Sequence, residues 1–295
     1  MQKRKKILIW LFCGALVWLA GCGGSPHAST EKYYLVATNI KIPYWQNANT
    51  GLMRAAGQMG VKAEMVGPET FDPKAEHEFF QQVLAQKIKP AGIMVSAADP
   101  AVIGPDIDAA VSQGIPVVTI DSDAPASKRL TFIGTDNYKA GLMGAELAVK
   151  QLQGKGNVVL FTMPEQANLK DRLHGYHDGF ETHFGIKIVE TVDVKGDPRI
   201  AFDHTQELVD KKIIDKIDGF ICLEAIACPE VADVLDRNKV GAKVIVAMDT
   251  DPRTLDGIKK GRVAGTIAQK PFTMGFVGVP ALDTMHHYPP NPLDK

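Results

Sequence analysis

The sequence predicts an α/β protein of two lobes, each a parallel sheet covered by helices, and three features of its 295 residues lead there. From Tyr33 onward, short β-branched runs alternate with amphipathic stretches and turn residues, the pattern of βα units. There are nine such units, more than one open sheet holds comfortably, so two sheets follow. The chain also repeats itself. Gly92-Ile-Met-Val-Ser, a helix and Gly114-Ile-Pro-Val-Val-Thr-Ile-Asp121-Ser-Asp123 run parallel to Gly219-Phe-Ile-Cys-Leu, a helix and Gly241-Ala-Lys-Val-Ile-Val-Ala-Met-Asp249-Thr-Asp251, with Gly-to-Asp spacings of 29 and 30.

The β-branched and apolar runs place strands at Tyr34–Thr38, Ala63–Val66, Gly92–Val95, Pro116–Ile120, Val158–Phe161, Ile186–Val192, Gly219–Leu223, Val244–Ala247 and Val263–Ile267. The amphipathic stretches between them place helices at Trp45–Met59, Pro73–Gln86, Pro100–Gln113, Tyr138–Leu152, Lys170–His183, Pro198–Lys211, Pro229–Arg237, Pro252–Lys259 and Phe272–His286. Both repeats end a strand in Asp-Ser/Thr-Asp. Ligands of open α/β sheets sit beyond the C-terminal strand ends, so a cleft between facing lobes would collect carboxylates from each.

The N-terminus indicates the compartment. Lys3, Arg4, Lys5 and Lys6 precede an uncharged run, Ile7–Ala20, of 14 residues. A bilayer span needs about 20 apolar residues, so this run suits the core of a signal peptide. Leu19-Ala20-Gly21-Cys22 resembles the bacterial lipobox, which implies cleavage before Cys22 and lipidation of its thiol. Residues 1–21 are then the signal peptide, and residues 22–30, rich in small residues, a flexible tether. Acyl chains would supply the membrane attachment, leaving the folded part free of it. The 33 cations and 34 anions become 33 − 4 = 29 against 34 once that segment leaves, a net charge of −5. Such a balance argues against a nucleic-acid partner. Only Cys222 and Cys228 remain in the mature fold, and they read as small core residues rather than a disulfide or metal pair.

Pro43-Tyr44-Trp45, Gly114-Ile-Pro-Val-Val-Thr-Ile-Asp121, Ile133-Gly134-Thr135-Asp136-Asn137, Gly219-Phe220, Met248-Asp249 and Gly265-Thr266-Ile267-Ala268-Gln269 stand in a fixed order between Tyr33 and Met285. That ordered set resembles the periplasmic ribose-binding-protein family of sugar-binding proteins for ABC transporters. The resemblance implies the type I periplasmic binding protein fold. Its lobes would be residues 31–135 with 271–295, and residues 136–270. They would close by hinge bending on a monosaccharide, with no cofactor, as a monomer in the cell envelope.

A sugar offers hydroxyls around its rim and C–H faces above and below, so a site wants acceptors, donors and aromatic rings. Tyr44 and Trp45 stand where the family stacks aromatics, although capping of the first helix would also explain them. Asp121 and Asp249 match the family's carboxylates, with N-capping as the competing reading; Gln269 matches its amide, with a hinge hydrogen bond as the alternative. Thr38 matches a small hydroxyl residue. Asn168-Leu-Lys170-Asp-Arg172 begins a helix where the family places an arginine, and either Lys170 or Arg172 can fill that column. Several positions depart from the ribose pattern: Ile42 replaces an Asn, Asp121-Ser122 with Asp123 beyond replaces Asp-Arg, Gly196-Asp197 replaces Phe-Asp, and Glu224 replaces Asn. These changes point away from ribose and toward another neutral monosaccharide or polyol.

Paired acids at Asp121/Asp123 or Asp249/Asp251 could serve a glycosidase. Yet no nucleophile elbow, phosphate loop or His-Glu-x₂-His spacing accompanies them, and recognition of hydroxyls explains the pairs equally well. A sugar-responsive transcription regulator shares the fold but needs a DNA-binding helix-turn-helix where this chain has its leader. A ligand-presenting role toward a chemoreceptor or sensor kinase uses the same fold and stays open beside transport. His286-His287 reads as a solvated tail. The chain ends at Lys295, where family members continue to another strand, so an exposed sheet edge and a looser hinge are expected.

Overall fold

The computed structural model describes residues 27–289, so the expected signal peptide and Cys22 lie outside the described residues. Strands β1 (Lys32–Val36), β2 (Lys62–Val66), β3 (Gly92–Val95), β4 (Val117–Ile120) and β5 (Thr131–Ile133) form the first sheet, connected by α1 (Pro43–Met59), α2 (Pro73–Leu84) and α3 (Pro100–Ser112). Helix α4 (Asn137–Gln151) leads into β6 (Gly156–Thr162), β7 (Ile186–Asp193), β8 (Gly219–Cys222), β9 (Val244–Met248) and β10 (Gly265–Ile267) of the second sheet. Helices α5 (Ala167–Glu181), α6 (Pro198–Asp210), α7 (Ala227–Arg237) and α8 (Pro252–Lys259) connect those strands, and α9 (Pro271–His287) follows them.

All pairings within the two sheets are parallel. Their orders, β2-β1-β3-β4-β5 and β10-β9-β8-β6-β7, are one topology read in opposite directions. The repeat in the sequence is therefore a repeat of architecture, with β4 and β9 as counterparts. The fold is the expected two-lobe α/β arrangement.

Local chemistry explains why the helices begin where they do. Helices α2, α3, α6 and α8 each open on Asp-Pro, with the carboxylates of Asp72, Asp99, Asp197 and Asp251 accepting from the backbone N–H of Lys74, Ala101, Arg199 and Arg253. Aspartate satisfies an otherwise unpaired donor, and proline at the first helical position gives up an N–H that would have had no partner. Strand alternation then divides the first core. Tyr33 and Leu35 pack with Trp45, Leu52, Val279 and Leu282, whereas Tyr34 and Val36 pack with Phe80, Ile103 and Ile107 on the other face. β5 was not expected. Only three residues long, it offers no periodicity of its own and forms as an edge paired to β4 from Val118↔Thr131 to Ile120↔Ile133.

The chain passes from the first sheet to the second at Gly134–Asp136 and returns at Ala268–Lys270, so α9 packs on α1 in the first lobe. That contact requires glycine on both helices. A Cβ at Gly51 would meet the Phe272 carbonyl oxygen at 2.0 Å, and one at Gly275 would meet the Ala48 oxygen at 2.1 Å. Cys222 and Cys228 are free and buried, as small core residues would be.

At the end of the expected tether, residues 27–30 form a turn into β1: the Glu31 N–H donates to the Ala28 oxygen at 3.0 Å, and the Ala28 N–H donates to Glu31 Oε1 at 2.6 Å. His286 and His287 are exposed, as expected, but they close α9 rather than form a tail, and His287 has partners. Its Nε2 lies 3.3 Å from Glu31 Oε2 and 3.5 Å from Asp283 Oδ1.

Gly51→Val is expected to push α9 from α1 and cost about 1–3 kcal/mol, read as a Tm lowered by roughly 2–10 °C in thermal unfolding. An unchanged Tm would contradict the close packing of these helices.

Candidate functional site

The cleft lies beyond the C-terminal ends of both sheets, where open α/β folds hold ligands. Thr38, Asn39, Ile42, Tyr44, Trp45, Phe71 and Asp121 line it from the first lobe, and Met163, Gln166, Asn168, Leu169, Arg172, Gly196, Glu224, Ala225, Ile226, Asp249 and Gln269 complete it. It encloses about 560 Å³ of empty space, including its mouth.

Asp121 and Asp249 follow β4 and β9 in matching geometry. Both adopt left-handed backbone, φ 63° and φ 67°, and their N–H groups donate to Ile133 and Ile267 oxygens at 3.1 and 2.9 Å on the neighbouring strands. The cross-strand bond holds a conformation that non-glycine residues seldom adopt, and the resulting turn aims each carboxylate into the cleft. Asp121 accepts from Tyr44 Oη at 2.6 Å, Ser96 Oγ at 3.3 Å and Asn168 Nδ2 at 3.3 Å. The last of these crosses between lobes. Asp249 accepts from Gln269 Nε2 at 3.2 Å, and Gln269 Oε1 in turn accepts from Thr135 Oγ1 at 2.7 Å. Gln269 therefore lines the cleft and also links the two crossovers.

Glu224 sits two residues beyond β8 and accepts from the N–H groups of Ile226 and Ala227 at 2.6 and 3.0 Å. Arg172, on the first turns of α5, is 2% exposed; it donates to the Leu223 oxygen and, at 2.5 Å, to Asn137 Oδ1. Its Nε is buried without a hydrogen-bond partner. Burial pushes Glu224 up to about 7 from an ordinary 4.5, against the two backbone N–H bonds that favour its charged form. Burial likewise raises Asp249 to about 6 from 3.8, with Arg172 opposing and Asp121 adding to the rise. Asp121 is raised too, by burial, while Tyr44 and Arg172 pull it down.

Of the residues expected at the site, Thr38, Tyr44, Trp45, Asp121, Asn168, Arg172, Glu224, Asp249 and Gln269 come together. Trp45 Nε1 donates to Thr38 Oγ1 at 3.1 Å, and the Tyr44 and Trp45 rings meet edge-on with centroids 5.2 Å apart. Of the two candidates at the start of α5, Arg172 lines the cleft and Lys170 is exposed. Three further residues stand apart from the lining. Asp123 is taken up by Thr119 at 2.5 Å and by Arg129 Nε at 2.6 Å, Asp197 caps α6 and pairs with Arg199, and Ser122 is sealed beneath the turn. Within each Asp-Ser/Thr-Asp motif, then, only the first acid enters this cleft; Asp251 caps α8.

Phe71, Gln166 and Asn137 were not anticipated. Phe71 precedes the cap of α2 in a loop without any periodic pattern, yet it reaches the other lobe: a Cβ at Gly196 would meet Phe71 Cβ at 2.3 Å. Gln166 precedes α5, and Asn137 is found only through its bond to Arg172.

The comparisons with known proteins agree with this geometry. The periplasmic binding protein domain family matches residues 33–286, and the chain belongs to that family, in its ribose-binding-protein-like group. It is 23% identical to the ribose import binding protein RbsB of Bacillus subtilis, over 97% of this chain and 94% of the relative. Among solved structures, it resembles an ABC transporter solute-binding protein from Burkholderia graminis in complex with D-arabinose, at 28% identity and TM-score 0.83, covering 90% of this chain and 92% of that one. The XylFII–LytSN complex matches at 28% identity and TM-score 0.82, over 88% and 94% of the two chains.

Glu224 and Asp249 hold protons more tightly folded than unfolded, so the stability they contribute is highest near pH 4 and declines as pH rises through 6 to 7. Asp249→Asn keeps the turn and removes the buried charge. It is expected to raise Tm at pH 7 by a few degrees more than at pH 4; an equal change at both would deny that Asp249 is charged and buried.

Proposed function

We propose that the protein is the extracytoplasmic solute-binding component of an ABC transporter, closing on a neutral monosaccharide or polyol and presenting the closed form to the permease. The supporting observation is one interlobe cleft that holds three buried carboxylates, the unpartnered Nε of Arg172 and the rings of Tyr44, Trp45 and Phe71. Carboxylates accept hydroxyl protons in charge-assisted bonds, the guanidinium donates to a hydroxyl oxygen, and the rings cover C–H faces. The D-arabinose complex and the ribose import relative favour the same ligand class. The lobes, residues 31–135 with 271–295 and residues 136–270, turn about the crossovers joined by the Thr135–Gln269 bond. On opening, the Asp121–Asn168 bond and the Phe71–Gly196 contact separate.

Leu19-Ala20-Gly21-Cys22 supports export and a lipid anchor at Cys22, with the folded part acting as a monomer. A second reading, presentation of the liganded form to a sensor protein, draws on the XylFII–LytSN complex. Cys22→Ser is expected to release the protein from the membrane fraction and to abolish its acyl mass increment by mass spectrometry. An acylated variant would place the anchor elsewhere.

The function is tested by thermal shift and calorimetry against pentoses, hexoses, deoxy sugars and inositols. One stereochemical series should raise Tm, because a ligand of the folded state stabilises it. A sharp melting transition that no sugar or polyol moves would overturn the reading. For the ligand found, Asp249→Ala and Trp45→Ala should each weaken binding by about 10–100-fold, the worth of a charged hydrogen bond or a stacked ring. Affinity should rise from pH 5 to 8 as Asp249 and Glu224 lose their protons; a constant or falling affinity would remove them as acceptors.

A further inference from the structure

Four side chains converge at the opposite end of the first sheet, where β1 begins. His27 and Glu31 belong to the turn leading into β1; Asp283 and His287 lie one turn apart at the end of α9. His27 Nδ1 is 3.1 Å from Glu31 Oε2 and 3.2 Å from Asp283 Oδ1. His287 Nε2 is 3.3 Å and 3.5 Å from the same two oxygens. Two nitrogens and two oxygens therefore alternate around a closed ring, and all four atoms lie within 4.8 Å of one another. We propose that this is a binding site for a divalent transition metal, with Zn²⁺ as the ion it fits.

Four of the six donor-to-donor separations are close to those of a tetrahedral shell. Zn²⁺ binds imidazole nitrogen and carboxylate oxygen at about 2.0–2.2 Å, which sets donor-to-donor edges of roughly 3.3–3.6 Å. The four nitrogen–oxygen separations of 3.1–3.5 Å span nearly that range. The donor types agree as well, since imidazole selects zinc and its neighbours over calcium and magnesium, which prefer all-oxygen shells. Two carboxylates with two neutral imidazoles carry a charge of −2, and a dication balances it.

Outer partners orient the ligands. Tyr33 Oη donates to Asp283 Oδ1 at 2.8 Å, and the Ala28 N–H donates to the Glu31 oxygen that faces away from the ring, Oε1, at 2.6 Å. His27 and Glu31 side chains are each 9% exposed, Asp283 16% and His287 31%, so the ring is shielded and opens on the His287 side. An ion here fastens position 27, only five residues beyond Cys22, to the last described helix. The site is a brace between chain ends, separate from the cleft.

The same ring could be held without metal by two protonated imidazoles, and the experiment separates these cases. The full chain, purified in detergent and stripped with EDTA, is titrated with ZnCl₂, CaCl₂ and MgCl₂, with bound metal counted by mass spectrometry and Tm followed. One equivalent of Zn²⁺ is expected, with Tm raised by roughly 5–10 °C at about 100 times Kd, and no comparable effect of Ca²⁺ or Mg²⁺. His287→Ala and Asp283→Asn should each lower Zn²⁺ affinity by at least about 100-fold, more than loss of an outer partner costs, while far-UV circular dichroism confirms that each variant folds. The wild-type stoichiometry decides even if a variant does not. Failure of the wild type to retain Zn²⁺, or retention undiminished in a folded His287→Ala/Asp283→Asn double variant, would overturn the site.

Discussion

The structure depends on keeping charged carboxylates at the buried mouths of two facing sheets. Asp121 and Asp249 are 7% and 6% exposed, sit in left-handed backbone and end equivalent strands. Each conformation costs of order 1–3 kcal/mol, and removing a carboxylate from water costs more unless donors replace the water. Much of the surroundings supplies those donors. Tyr44, Ser96 and Asn168 serve Asp121, Gln269 serves Asp249, and backbone N–H groups at the start of α7 serve Glu224. Arg172 adds the one positive charge that all three feel. It can do so because its own terminal nitrogens are fixed to Leu223 and Asn137, which leaves little freedom in where the guanidinium lies.

What was legible in the sequence was whatever is encoded locally or twice. The repeat announced both sheets, because a strand ending in Asp-Ser/Thr-Asp recurs at nearly the same spacing from a glycine. The Asp-Pro starts of α2, α3, α6 and α8 are local chemistry and fell at expected helix boundaries. Contacts between distant segments were hidden. Phe71 against Gly196 joins residues 125 apart, with nothing in either neighbourhood to announce the other. Asp123 and Asp197 were misleading for a related reason: an acid beside a cleft and an acid capping a helix look alike until Arg129 and Arg199 are seen to occupy them. His287 looked like tail because its partner Glu31 lies 256 residues away.

On the proposed function, the duplication would also shape how the lobes respond to ligand. Each contributes a carboxylate from the same strand end, so approach of the lobes brings Asp121 toward Asp249, and the charge of the first already raises the proton affinity of the second. Like charges driven together in a drying cleft oppose closure. Arg172 relieves part of that opposition and the Asn168–Asp121 bond a little more. Hydroxyl groups placed between the carboxylates relieve the rest, because each turns a desolvated oxygen into a bonded one. A ligand that does this binds the closed form more tightly than the open one, and that difference in affinity is the most it can contribute to closure. On the proposed function, the energetic cost of two buried acids, unfavourable for stability alone, would make the closed state depend on its ligand.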